Sequence, residues 1–208
     1  MDKNNLEKYV WSLDISTTNI GSALWTTNGQ LIELKHLKLK TDRNLPIENR
    51  DIHKADIFKQ YVIEYADRVF EEYGGEIAYT IVEEPLGGSN NAKTVALLHG
   101  FNGMCRYILY DIFKVKPLKI SVHDSRKIFC PELVTTKTVK GKITETLSFP
   151  DKYKKDKKRY IWEKVSKKHP DIEWIYKRNG DVSDESFDMS DSYCVGYSGM
   201  VIMGLIKK

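Results

Sequence analysis

The first forty residues hold short apolar runs separated by polar turns, the signature of strands. Tyr9 to Ser16 reads as a first strand, Thr18-Asn19 as a turn, and Ile20 to Thr27 as a second strand. Asn28-Gly29 is a hairpin signal of the type I′ kind, and Gln30 to Leu39 completes an antiparallel meander. After a polar, Pro46-containing loop the pattern changes. Ile52, Ala55, Phe58, Val62, Ala66, Val69 and Phe70 recur at helical spacing, and Gly74-Gly75 ends that helix. Ile77 to Val82 is a fourth strand, bounded by Pro85 and Gly87-Gly88. Ser89, Asn90 or Asn91 can cap a second helix, with Val95, Leu98, Phe101 or Asn102, Cys105, Ile108 and Ile112 on its buried face. Pro117 to Val122 is a fifth strand, and His123 to Phe129 a short helix or turn.

The pattern lapses after Pro131. The stretch from about 135 to 169 reads as a basic insertion, first an exposed loop around Gly141 and Pro150, then a helix over Lys154 to Lys168 with Trp162 against the core. A linker of mixed character leads to Ser183 or Asp184, which can cap a last helix running to about Ile206. Hairpins at the start and strand–helix alternation in the middle predict an α/β fold. It is a mixed five-stranded sheet, an antiparallel three-strand meander plus parallel strands, with helices on both faces. The 208 residues suit one domain carrying the insertion.

Composition adds limits. At 41% hydrophobic and 30% charged residues, the chain can build a sizeable core. The net charge of +4 is small, but residues 135–169 carry twelve Lys and Arg against four Asp and Glu, so the positive charge is concentrated there. Cys105, Cys130 and Cys194 have neither metal-ligand spacing nor a disulfide framework, which favours a reducing, cytoplasmic setting. The polar start Met1 to Asn5 does not read as a signal peptide. The longest apolar run, Gly199 to Ile206, is far short of the roughly 20 residues a membrane span needs; no membrane partner is expected.

Three carboxylate stretches break the apolar pattern. Asp14 lies inside the first strand, Glu83-Glu84 ends the fourth, and Asp188 with Asp191 opens the last helix. Each has an ordinary explanation: a turn residue, a solvated strand end, acids near a helix dipole. Together they read as one acidic site. Asp188 and Asp191 share a helix face, and the helix need only cross adjacent first and fourth strands for the acids to meet. Hard oxygen ligands without His or Cys suit Mg²⁺ or Mn²⁺. Two such ions about 3.5–4 Å apart activate water and stabilise the departing oxygen of a phosphodiester.

Ser12-Leu13-Asp14-Ile15-Ser16 followed by Gly21, Ile81-Val82-Glu83-Glu84, Asn90-Asn91-Ala92 and Asp188-Met189-Ser190-Asp191-Ser192 resemble the motifs of the RuvC family of Holliday junction resolvases, within the RNase H-like nuclease superfamily. The resemblance spans residues 9 to 205 apart from much of the insertion, and is closest to divergent, phage-type members. Ser16 stands where the family usually has Gly, and Leu86 where bacterial members carry a junction-stacking aromatic. The resemblance implies that Asp14, Glu83, Asp188 and Asp191 are catalytic metal ligands for two Mg²⁺ ions, with Glu83 rather than Glu84 pointing inward. It implies action on four-way junctions and other branched DNA, and a lysine of the basic segment near the scissile phosphate; because a four-way junction is two-fold symmetric and needs two cuts, a C₂ homodimer is expected. Lys154, Lys155, Lys157 and Lys158 are the candidates for that lysine and for DNA binding.

Tyr153, Tyr160 and Trp162, interleaved with these lysines, could stack on unpaired bases. His36, His53, His99, His123 and His169 show no ligand spacing, although His123 follows the fifth strand closely. Leu97, Phe101, Met104 and Leu109 make the second helix apolar beyond one stripe, which suggests a dimer surface or packing on the last helix. Two rival readings remain. Asp14 to Gly21 is similar to the phosphate loop of actin-like and sugar-kinase-like ATPases, of which this would be a fragment. The other is an RNase H-like nucleic-acid-binding module without catalysis.

Overall fold

The structure, a computed structural model, describes residues 6–42, 44–46, 49–85, 91–139 and 142–208. Strands β1 (Glu7–Ile15), β2 (Asn19–Thr26) and β3 (Leu31–Lys38) form the antiparallel meander. Strand β4 (Gly75–Glu84) lies parallel to β1, and β5 (Leu118–Ser121) parallel to β4. The resulting order is β3-β2-β1-β4-β5. Helices α1 (Arg50–Tyr73) and α2 (Ala92–Phe113) pack together on one face. Helix α5 (Asp184–Ile202) lies across β1 and β2 on the other, flanked by α3 (Val122–Phe129) and α4 (Lys157–Lys168).

Period-two alternation in β1 decides what each face receives. Tyr9, Trp11, Leu13 and Ile15 join the core under α1 and α2, where Trp11 stacks on Tyr65 at 4.3 Å. Val10 and Ser12 point under α5, and Ser12 Oγ donates to the Ser192 carbonyl at 2.9 Å. Asp14 follows them onto that face. In β4, Ile81 faces α5 and Val82 the opposite core, so Glu83 returns to the α5 side.

Helix α5 can lie this close because glycines meet it. A Cβ on Gly21 would stand 2.0 Å from the Asp188 carbonyl oxygen, and one on Gly196 2.3 Å from Ser12 Oγ. Gly21 is the register partner of Asp14. The same close approach therefore carries the start of α5 over the carboxylate of β1.

The β2–β3 turn, the insertion and the packing of α2 differ from the expectations. The β2–β3 hairpin is not type I′, which needs positive φ at both central residues. Here only Gly29 is left-handed (φ 90°), and the Gly29 amide donates to the Thr26 carbonyl at 3.1 Å, closing a three-residue loop. The first part of the basic insertion is not a loop but a hairpin, β6 (Val134–Val139) and β7 (Lys142–Leu147), forming a separate two-stranded sheet. Trp162 is half-buried, set edge-on to Trp174 and Tyr176 rather than in the core. Helix α2 packs on α1 and β4, across the sheet from α5, with Phe101 and Leu109 buried in its own core. Those two residues are thus removed from any surface, and Leu97 stays exposed.

Asn91 caps α2 as expected, accepting from the Lys93 and Thr94 amides. Asn90 and Leu86 lie outside the described residues. All three cysteines are free and buried. Among the described residues no helix is long and apolar enough to cross a membrane.

Candidate functional site

Asp14 stands one residue from the C-terminal end of β1. Leu13 pairs with Val82 in the parallel register, which sets Asp14 beside Glu83 on the α5 side of the sheet. Asp188 and Asp191, one turn apart at the start of α5, face these two strands. Ser183 caps that helix by accepting from the Ser186 amide, which fixes where its first turns begin. The four carboxylates come from three segments distant in sequence. They share one electrostatic neighbourhood: burial, then the charges of Asp191 and Asp188, push the Asp14 carboxyl up to about 7 against the pull of Lys158. Burial, then Asp14 and Asp191, raise Glu83 well above the usual carboxylate range. Burial also raises Asp188. Asp14 and Glu83 each keep a partly open face, while Asp191 is nearly sealed, with 5% of its side chain exposed.

Glu84 points away. It pairs with Lys119 at 2.8 Å in the open, and that ammonium holds its carboxyl below the usual range. The Glu83 carbonyl accepts from Asn102 Nδ2 at 3.0 Å, so buried Asn102 of α2 anchors the end of β4 through the sheet.

Two cations enter the cluster. Lys158, from the first turn of α4, places Nζ 3.1 Å from Asp188 Oδ1 and 3.3 Å from Asp191 Oδ2. Arg126, from α3, donates from Nη2 to Asp191 Oδ1 at 3.1 Å with only 12% of its side chain exposed. Burial opposes the charge of both, yet the surrounding carboxylates outweigh it and raise each pKa. The sequence offered four lysines for this role without separating them. Lys158 reaches the acids, whereas Lys154 pairs with Asp151 at 2.6 Å, and Lys155 and Lys157 are exposed. All four line a groove of about 420 Å³ beside the start of α5.

Arg126 was not singled out from the sequence. Its partner lies 65 positions away and no local motif marks it. Ser121 caps α3 by accepting from the Asp124 amide, and the Ser198 hydroxyl, donating to the Ser125 carbonyl at 2.7 Å, ties the helix to α5. His123 is exposed and lines a groove with Arg126 and Lys157. His36, opposite Gly21 in the β2–β3 register, feels the charge of Asp188, although burial lowers its pKa overall. Tyr153 and Tyr160 are not free to stack on bases: Tyr153 is buried against Glu163, and Tyr160 donates to Glu132 at 2.9 Å.

The donor set, four carboxylates and no thiolate or imidazole, fits a hard divalent ion. Among the described residues, no three Asp, Glu, His or Cys side chains are gathered tightly enough around one point to hold it. Where Asp188 and Asp191 converge, the position is taken by the Lys158 ammonium.

Three amides of the Asp14–Gly21 turn, those of Ser16, Thr18 and Asn19, are already bonded within it. The Ser16 amide donates to the Asn19 carbonyl and the Asn19 amide to Ser16 Oγ, both at 3.0 Å.

The sheet order and two-faced helix cover define an α/β, RNase H-like fold. The chain is similar to RuvC of Thermus thermophilus solved with a Holliday junction substrate, at TM-score 0.57 and 9% identity over 95% of this chain and 96% of that one. It is similar also to another structure of Thermus thermophilus RuvC, at TM-score 0.50 and 13% identity over 94% and 96%. No protein-family model matches the chain, and no curated protein matches it significantly.

Proposed function

We propose that this chain is a divalent-metal-dependent endonuclease acting on branched DNA, four-way junctions foremost. The observation that carries this reading is that Asp14, Glu83, Asp188 and Asp191 lie on the α5 side of an RNase H-like sheet, near enough for their charges to act on one another. The likeness in fold to a RuvC solved on a junction supports the substrate class. Two bound Mg²⁺ ions, with Mn²⁺ able to replace them, would supply an activated water and neutralise charge on the departing 3′ oxygen. The chain's own residues do the rest. Asp14 and Glu83, fixed by neighbouring strands, define one side of the centre, and Asp188 and Asp191 the other. Lys154, Lys155 and Lys157 bind backbone phosphates beside it, and Arg126 orients Asp191. The products are 5′-phosphate and 3′-hydroxyl ends.

A junction with two-fold symmetry needs two cuts, and a C₂ homodimer supplies two identical centres. The exposed Leu97, Tyr107 and Tyr110 of α2 are the surface proposed for it. The phosphate-loop reading is disfavoured by the amides already bonded within the Asp14–Gly21 turn. The non-catalytic reading is disfavoured by retention of all four acids. Incubation with four-way, three-way and linear duplex DNA tests the proposal. With Mg²⁺ the branched substrates are cut; with Ca²⁺ they are bound but scarcely cut, because Ca²⁺ favours looser, higher coordination. Cleavage undiminished in excess chelator would overturn it.

A further inference from the structure

Both carboxylate oxygens of Asp191 are engaged, one by each cation. Oδ1 accepts from Arg126, while Oδ2 faces the Lys158 ammonium, which also contacts Asp188. An ion shared by Asp188 and Asp191 would sit about 2.1 Å from its oxygens. It would have to take the ammonium's place, because two cations on the same oxygens repel at short range.

The two residues differ in how easily they can leave. Arg126 is 12% exposed, on a helix pinned to α5 through Ser198 and Ser125. Withdrawing it from Asp191 would leave a buried guanidinium without its anion, a costly state. Its planar fork holds one carboxylate oxygen in a fixed direction. Lys158 has 47% of its side chain exposed and a flexible four-carbon stem. Released, its ammonium can rehydrate in the groove it shares with Lys154, Lys155 and Lys157.

Resting on the metal-centre reading above, we propose that Lys158 is an internal stand-in for the divalent ion, displaced when metal binds. Arg126, by contrast, is a positioning residue that keeps its hold on Asp191 throughout. Metal loading then frees Asp191 Oδ2 and Asp188 Oδ1 as ligands together. It also moves one positive charge from inside the cluster to the lip beside the exposed lysines. The arrangement explains why the acids converge without a ready-made ion cage.

The test needs no DNA. In ¹⁵N-edited spectra of the intact wild-type chain, the Lys158 ammonium, assigned through Lys158→Gln, gives a protected signal without metal. Saturating Mg²⁺ shifts it to the position of a free lysine or removes it by exchange. Calorimetry with Mn²⁺ supplies the second readout. Lys158→Gln and Arg126→Gln each delete one positive charge, so a purely electrostatic effect would tighten binding at least as much for the more buried Arg126. Displacement predicts roughly tenfold or greater tightening for Lys158→Gln, and a smaller gain, or a weakening, for Arg126→Gln. A Lys158 signal unmoved by Mg²⁺, or an equal or larger gain for Arg126→Gln, overturns the inference while leaving the metal centre standing. Failure of the wild type and both variants to bind Mn²⁺ removes the metal-centre reading and this inference with it.

Discussion

Asp14 costs the metal-free protein stability. Its carboxyl is pushed up to about 7, first by burial, from an ordinary value of 3.8. Between those two values the folded chain binds the proton that the unfolded chain has released. Stability is therefore highest below about pH 4 as far as this group is concerned, and falls as pH rises through about 7. Without metal, Asp14→Asn should melt above the wild type at pH 8, by about 3 °C or more, with a smaller gap at pH 5. Magnesium should reverse the order at pH 8, because only the wild type gains a ligand. Thermal unfolding in chelator and in Mg²⁺ measures both, and a variant less stable than wild type at pH 8 in chelator would contradict the account. A second residue-scale prediction concerns register. Glu83→Gln should lower cleavage by roughly three orders of magnitude, while Glu84→Gln, which gives up only an exposed pair with Lys119, should stay close to wild type. Cleavage rates on one junction substrate decide between the two.

At the scale of elements, what could be read from the chain was what buries an apolar stripe. Helices α1 and α2 show a helical period because one stripe enters a core, whereas β1, β2 and α5 read as apolar segments because they are buried on nearly every side. The β6–β7 hairpin was not legible, since Thr135, Thr136, Lys137, Thr138, Ile143, Thr144 and Glu145 are all exposed or half-exposed and alternation carries no signal. The four acids were legible because a charge inside an apolar run is conspicuous. Arg126 was not, because its role exists only once α3 packs on α5. Lys158 could not be told from its neighbours, since helical phase and tertiary approach alone select it. That selection changes a prediction. If Lys154, Lys155 and Lys157 form the phosphate track proposed above, changing these three to Ala should weaken junction binding. It should also flatten the log–log salt dependence by about 0.9 for each phosphate no longer neutralised. Binding titrations at several salt concentrations measure the slope, and an unchanged slope would make these lysines an ordinary solvated face.

For the whole molecule, the sheet separates two surfaces. The α5 face carries the acids and the cations, while the α1–α2 face leaves Phe70, Leu97, Tyr107 and Tyr110 exposed. An assembly through that second face leaves both acid clusters open to DNA. Sedimentation at micromolar concentration should show a dimer, on the junction if not before it, and a chain that stays monomeric on the junction would contradict the paired arrangement. The central claim, that the four carboxylates form a metal-dependent junction-cutting centre, is tested most directly by one comparison. Labelled four-way junction is incubated with Mg²⁺ and either the wild type or Asp188→Asn, with binding and strand scission read in parallel. The account predicts that both proteins bind the junction, that the wild type nicks opposing strands at symmetric positions, and that the variant is slower by roughly a thousandfold or more. Equal scission by the two proteins, or a wild type that binds the junction and leaves it whole, would contradict it.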